Sequence, residues 1–517
     1  MKRRNFVQSV ALSSIGAPLI LKNFKFGAVT EDLFKTSRAA EDRVLVIIRL
    51  NGGNDGLNTL IPLDQYANLT IQRQNILIPQ NQLLTITPNN ALHPAMTGMR
   101  DLFTEGKLSI LQNVGYPEQN RSHFRSMDIW TSGMLDPNAT RGWLGRYLDQ
   151  EFPNFPDAYP NTQNPDPFAI SMGYEVSATC QGLAANFSVA INNPFDSYNL
   201  VETGQVNDGT YYGAHMEYLS TLITQANAYG AQVNAAANAG NTLSTMYDPN
   251  DDVSKNLRYI AQMISGGLKT KIYIVNVNGF DTHNAQVVSG APATGDHANL
   301  LSRISKAVAA FQNDLHLLGI ESRVAGMTFS EFGRQIASNA SDGTDHGDAA
   351  PLFLFGRCVS SGIIGPNPVI SNTIVDQAGI PMQIDFRDVY ASILKDWFEA
   401  DPQEIQGMFE QTINFLPVLD SCNLGLDENK EALDVSLFPN PCADQTTLKF
   451  TCSNERVTIR VYDLSGTLVS EVCSKEFQPG EHLVPVQLDG KPSGNYMVTV
   501  HKNSGTFSKK LMKLKNI

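Results

Sequence analysis

At 517 residues the chain is long enough for one large domain with its own core plus an accessory unit. Its hydrophobic fraction of 42% is ordinary for a globular protein, and its formal net charge of -13 argues against a nucleic-acid partner, which would need a basic face against phosphates. No uninterrupted apolar stretch reaches the roughly 20 residues that a membrane-spanning helix requires, so no integral membrane span is expected.

Residues 1–30 carry Arg3 and Arg4 side by side, then Phe6, then a modestly apolar segment with small residues. This order resembles a twin-arginine export signal, an address to be set aside from fold reasoning. The resemblance implies the twin-arginine export machinery as a partner, and passage across the inner membrane in the folded state. A basic arm followed by a short helix is the plainer alternative. Residues 31–42 read as a linker.

From position 43 to 419 apolar, strand-like runs alternate with helix-like segments, the pattern of an α/β domain. Four of the runs border carboxylates and histidines. VLVIIRL leads into NGGNDG with Asp55, KIYIVNV into NGFDTH with Asp281 and His283, and RVAGMTF into SEFGR with Glu331; GTDHG, with Asp345 and His346, precedes APLFLFG. In an open α/β sheet the residues just beyond the strand ends share one crevice, so clusters distant in sequence can meet there. Oxygen and imidazole ligands converging in such a crevice point to a divalent metal, whether Zn, Mg, Mn or Ca. Between the runs, Leu301, Ile304, Ala307, Val308, Phe311, Leu315 and Leu318 form one stripe and predict a helix over Leu300 to Gly319. The segment from Asp388 to Phe398 reads likewise, and Tyr211 to Gly240 is expected to be helical. Residues 153–208 are rich in Pro, Asn and Asp and predict long loops or an insertion near the site rather than core.

The working region resembles the DUF1501 family, exported proteins of unknown activity placed with the alkaline phosphatase and sulfatase superfamily. The resemblance rests on Gly52-Gly53-Asn54-Asp55-Gly56-Leu57-Asn58, Gly115-Tyr116-Pro117, Arg121-Ser122-His123-Phe124, Gly142-Trp143-Leu144-Gly145-Arg146, Gly279-Phe280-Asp281-Thr282-His283, Ser330-Glu331-Phe332-Gly333-Arg334, Gly343-Thr344-Asp345-His346-Gly347 and Asp385-Phe386-Arg387. It implies an alkaline-phosphatase-like central sheet sandwiched by helices. The superfamily's order of parts implies Asp281, His283 and His346 on one metal, Asp55 with Glu331 on a second, and Ser122 as nucleophile. Arg121 or Arg387 would pair with the non-bridging oxygens of a phosphate or sulfate ester. The chain departs from the hydrolases at Glu331-Phe332, where they often present Asp-His, so the centre is expected to be altered.

Each residue also has a plainer role. Asp55 and Asp281 follow strands, where Asp commonly caps the next turn, and Ser122 could be a loop or cap hydroxyl. His123 and His297 could be ligands or could orient them, whereas His93, at a helix start, reads as structural. Gly52, Gly53 and Gly56 lack the Lys-Ser/Thr of a P-loop and read as a tight turn. Two function classes follow: a secreted metal-dependent hydrolase of phosphate or sulfate esters, or a surface binding protein, for glycans for example, on a degenerate hydrolase scaffold. The absence of a Gly-x-Ser-x-Gly elbow disfavours a metal-free serine esterase.

Residues 420–433 are polar and aperiodic, a second linker, and from 434 to 517 the text is all strand between Gly, Pro and Asn turns, predicting a small immunoglobulin-like β-sandwich. Phe438-Pro439-Asn440-Pro441, Val461-Tyr462-Asp463-Leu464-Ser465-Gly466, Gly494-Asn495-Tyr496 and the basic KKLMKLKNI together resemble the C-terminal sorting domain of type IX secretion. The resemblance implies the type IX machinery as partner and a route through the periplasm to the medium or the outer-membrane surface. Of the six cysteines none forms a close Cys-x-x-Cys pair, so a cysteine zinc site is not expected. Cys442, Cys452 and Cys473 admit either a disulfide or free buried thiols.

Overall fold

The computed structural model describes residues 42–196, 208–409, 411–419 and 435–514, the last range without 441, 453, 464–467 and 503–504. The proposed export signal and both linkers, apart from Asp42, lie outside the described residues. The chain divides into two compact units between Cys422 and Asn423.

The larger unit is built on a nine-stranded sheet: β1 (Val44–Asn51), β2 (Leu108–Gly115), β3 (Ala169–Met172), β4 (Ser188–Ile191), β5 (Ile272–Asn278), β6 (Val324–Phe329), β7 (Ala350–Phe355), β8 (Gly362–Ile364) and β9 (Ile384–Asp385). In space the order is β8-β2-β7-β6-β1-β5-β3-β4, with β9 pairing beside β2. Every pairing is parallel except those of β7, which runs antiparallel to both β2 and β6. That one reversal explains a feature of the sequence. Three polar clusters follow their strands and the fourth precedes its own, because the amino end of β7 lies at the edge where the other strands have their carboxyl ends.

The strands in the middle of the sheet are apolar at nearly every position because both faces are covered. On β1, Leu45 and Ile47 enter one core, and Val44, Val46, Ile48 and Leu50 the other. Helices α1 (Thr97–Thr104), α4 (Tyr211–Ala239), α5 (Asp252–Ser265) and α6 (Asp296–Leu317) cover the second face. Helices α2 (His123–Ser132), α3 (Trp143–Glu151) and α7 (Phe386–Asp396) cover the first, with Trp143 stacked on Tyr390 at 4.1 Å. Helix α6 starts earlier than its apolar stripe, after Gly295 at a φ of 122°. Helix α7 starts at Phe386, where the Asp385 side chain accepts from the Arg387 amide.

The expectation of loops over 153–208 needs correction, because β3 and β4 lie inside that range and extend the central sheet. Each has only four residues, too few for an alternating pattern to stand out from the Pro- and Asn-rich flanks.

The smaller unit packs a three-stranded antiparallel sheet and a four-stranded one around a core that includes Leu448, Phe450, Val457, Ile459, Val461, Val486, Val498 and Val500. This is the expected all-β sandwich. Cys442, Cys452 and Cys473 are free thiols, whereas Cys358 of the larger unit is disulfide-bonded. Among the described residues no helix is long and apolar enough to cross a membrane.

Candidate metal centre

Five strand ends deliver the site. The β5 exit supplies Asp281 and His283, the β6 exit Glu331 and Arg334, the segment before β7 supplies Asp345, His346 and Asp348, and the β2 exit leads to Arg121, Ser122 and His123. The β1 exit supplies Gly52, whose backbone passes so close to Asp281 that a Cβ would stand 2.2 Å from its amide nitrogen. Glycine at a φ of 124° is what allows this approach.

Three imidazoles gather around Asp281. Its Oδ1 lies 3.1 Å from Nε2 of both His283 and His346, and its Oδ2 lies 3.5 Å from Nε2 of His123. One ligand atom each of His123, Asp281 and His346 fall within 4.8 Å of one another. The rings are oriented from behind. Nδ1 of His123 meets Glu331 Oε1 at 2.8 Å, Nδ1 of His283 meets Asp345 Oδ1 at 2.8 Å, and Nδ1 of His346 meets the Arg121 carbonyl at 2.8 Å. Carboxylate and carbonyl oxygens accept, so in the neutral rings each Nδ1 donates and each Nε2 keeps a bare lone pair. Burial lowers the pKa of His346 below the ordinary imidazole value, which keeps that lone pair free.

The Nε2 atoms of His283 and His346 face each other at 2.9 Å. Two lone pairs at that separation repel unless a proton or a cation lies between them and the Asp281 oxygen. The donor set therefore fits a divalent metal, with each ring nitrogen turned away from the centre hydrogen-bonded as metal-ligating histidines require.

Arg334 underlies the cluster. Fully buried, it donates to the carbonyls of Gly53 at 2.7 Å, Thr344 at 2.8 Å and Phe280 at 2.8 Å, to that of Gly52, and to Asp281 Oδ1 at 2.8 Å. Burial alone would raise the Asp281 carboxyl, but the hydrogen bond and charge of Arg334, together with the neighbouring His346 and His283, outweigh it and bring the pKa down to about 2. Asp281 is thus a carboxylate throughout the physiological range.

The other expected site residues divide between this cluster and other partners. Glu331 is 2% exposed and stands behind His123, accepting also from the Gly52 amide at 2.8 Å, while its Oε2 has no partner among the described residues. Asp55, 1% exposed, is held by Arg73 Nη1 at 3.0 and 2.9 Å and by Gln286 Nε2 at 2.7 Å. Its burial would raise its pKa, yet the Arg73 and His297 charges and these hydrogen bonds leave it below the usual carboxylate range. Asp55 and Glu331 therefore stand in different environments. Arg121 forms a two-pronged pair with Asp348 at 2.9 and 2.8 Å, and Arg387 does the same with Asp385 at 2.9 and 2.7 Å. Both forks are occupied within the protein. Ser122 is exposed at the N-cap of α2 and makes no capping bond with its side chain, so its hydroxyl is not tied to the helix.

His297 and His93 lie apart from the cluster, buried 6.1 Å from each other, with His297 Nε2 on Asn54 Oδ1 at 2.9 Å. Sequence reasoning gave no role to Arg334 or Arg73. Arg334 was visible within the SEFGR motif, but a guanidinium in a motif does not reveal that it will be buried against three other loops. Nothing in the text around Arg73 signals that it folds back onto Asp55.

Fold and site define a three-layer α/β protein with a histidine–carboxylate centre at the carboxyl edge of its sheet. The chain belongs to the DUF1501 family, a protein family of unknown function, whose model matches residues 107–409, more than half of the sequence. Residues 436–514 match the secretion system C-terminal sorting domain, so the chain carries a secretion address. No functionally curated protein matches the chain. Among solved structures it is similar to a protein in the alkaline phosphatase superfamily from Vibrio parahaemolyticus, at 8% identity and a TM-score of 0.34, covering 92% of this chain and 83% of that one. It is also similar to a sulfatase from Pseudoalteromonas sp., at 10% identity and a TM-score of 0.32, covering 89% and 87%. A family protein with an immunoglobulin-like β-sandwich from Bacteroides vulgatus matches at 18% identity and a TM-score of 0.14, covering 16% and 85%.

Proposed function

We propose that the protein is a secreted or surface-attached, metal-dependent hydrolase of phosphate or sulfate esters. The observation that carries this reading is the set of three imidazoles, each with Nδ1 at 2.8 Å from an oxygen acceptor, that turn their Nε2 atoms toward one carboxylate. His283, His346, His123 and Asp281 would hold the ion, and an imidazole-rich set suits zinc first among the divalent metals. When bound, the metal supplies Lewis-acid stabilisation of an ester oxygen. Ser122 supports the same reading as nucleophile. Its hydroxyl is free of the helix, it directly precedes His123, and the first-turn amides of α2 would offer donors to an anionic ester. In the reaction Ser122 Oγ would bond to phosphorus or sulfur as the ester oxygen leaves as the alcohol with the Oγ proton. Water would then release the anion and restore the hydroxyl.

Metal content of the native protein, measured together with a panel of aryl phosphates and sulfates, tests this. Bound divalent metal that is lost in His283→Ala or His346→Ala, together with turnover, is the expected result. A metal-free native protein would sink the centre. A specific observation favours a second reading, a glycan-binding protein with a structural metal: Asp55 is sequestered by Arg73 and Gln286, so it is not free to build a second ion site with Glu331. Full occupancy with no turnover across the panel would support that reading. The sorting domain would pass the protein to the type IX machinery after periplasmic transit, with the twin-arginine machinery as the first export step.

A further inference from the structure

One face of three adjacent strands turns from apolar to polar toward the carboxyl edge, on β3 one step earlier than on β1 and β5. On β1, Leu45 and Ile47 give way to Arg49 and Asn51; on β5, Ile272 and Ile274 give way to Asn276 and Asn278; on β3, Ala169 gives way to Ser171. The register pairs Arg49 with Asn276 and Asn51 with Asn278, so these side chains lie side by side. A sheet face covered by a helical layer is ordinarily apolar, and polar residues in adjacent strands there mark a place where function overrides packing. The structure has a cavity of about 360 Å³ at this point, lined by Arg49, Asn51, Ser171, Glu175, Asn276 and Asn278 among others. That volume is within the range of about 300–1,000 Å³ typical of small-molecule sites.

Two of its wall atoms want partners. Among the described residues, Ser171, 1% exposed, has no hydrogen-bond partner for Oγ, and neither has Asn276 Oδ1. Buried polar atoms are rarely left unpaired, so these are positioned for a guest's hydroxyls or for water that a guest displaces. The remaining groups are already preset: Arg49 donates to Asn51 Oδ1, and Asn51 Nδ2 donates to Asn278 Oδ1 at 2.7 Å. The cavity also adjoins the centre. Asn278 stands three residues before Asp281, the Phe280 amide bonds the Asn51 carbonyl at 3.0 Å, and the Glu331 and Glu175 charges both act on Arg49.

We infer that this cavity is the subsite for a neutral, hydroxyl-rich ring, a pyranose, carried by the substrate. The lining has one guanidinium matched by one carboxylate, so it has no excess charge to attract an ion. Its amides and hydroxyls both donate and accept, as a sugar's vicinal hydroxyls require. It has no aromatic ring on which a nucleobase would stack. As the substrate class of the proposed hydrolase, the assignment rests on that function, but occupancy of the cavity by a sugar does not require turnover.

The test is ligand-observed NMR and calorimetry on the full chain with methyl glycosides of glucose, galactose, mannose, fucose and N-acetylglucosamine. At least one should bind with a Kd of about 1 mM or tighter. Ser171→Val and Asn278→Ala should each weaken that glycoside about fivefold or more, the worth of one hydrogen bond. Thermal melting checks that the variants are folded, and exposed Asn278 at the rim decides the matter if the Ser171 variant does not fold. Absence of binding at about 10 mM, or unchanged binding in folded variants, overturns the inference. Glycoside binding without ester turnover removes the hydrolase and leaves the subsite; turnover without glycoside binding does the reverse.

Discussion

The chemistry of single residues here depends on which of two ring nitrogens is occupied. Because Glu331 fixes Nδ1 of His123, Glu331→Gln should lower metal affinity about 10–100-fold, as loss of an orienting partner does elsewhere; a chelator competition titration measures it. Asp55→Asn should leave metal content unchanged but cost about 3–5 kcal/mol of stability in urea, because it strips the fully buried Arg73 of its counter-charge. Loss of metal in that variant would instead restore Asp55 to the ligand set. Away from the centre, burial lowers His297 to about 4 and His93 to about 3. Both are neutral in the folded chain at pH values where the unfolded chain, near 6.5, takes up a proton. Stability is therefore full above about 6.5 and falls as the pH drops toward 4, by up to about 1.4 kcal/mol per pH unit for each ring. Urea titrations at several pH values should show this slope, reduced in His297→Gln. At this scale the sequence named Asp281, His283 and His346, because imidazoles beside strand ends stand out. It could not show that Asp55 pairs with a buried guanidinium, because that depended on an arginine eighteen positions away folding back.

Elements decide where these residues meet. The apolar runs of β1, β5, β6 and β7 were readable because strands covered on both faces have nearly continuous hydrophobic text. The direction of β7 was not readable, and that direction brings His346 to the edge shared by Asp281 and His283. The four-residue β3 was hidden among prolines and asparagines, and with it the polar Ser171 beside the β1 and β5 asparagines. The turn after β1 is the most constrained connection. Gly52→Ala would place a Cβ 2.2 Å from the Asp281 amide at a φ of 124°, so it should cost at least about 1–3 kcal/mol from backbone strain. It should also displace Asp281 and reduce bound metal, which elemental analysis of the purified variant would show. An unchanged metal content would mean that the loop can yield without moving its carboxylate.

The whole molecule separates into a working unit and an addressed one, each with its own core. Removal of residues 434–517 should leave a protein that melts as the parent domain does, yet stays in the periplasm; cell fractionation decides, and unchanged surface export would refute the sorting role. The composition shift after 419 made this division readable, while the polar subsite was not, because it needs the register of three strands. The centre itself draws its groups from positions as distant as His123 and His346, held over one buried arginine. An unfolded chain cannot assemble such a set, so an ion bound there belongs to the native state alone. Its binding free energy then adds to the stability of the fold, by about 4.1 kcal/mol at a thousandfold excess over Kd. Heat becomes an assay for the ion: the melting midpoint, followed metal by metal in the presence of a chelator, ranks the candidates before any substrate is known.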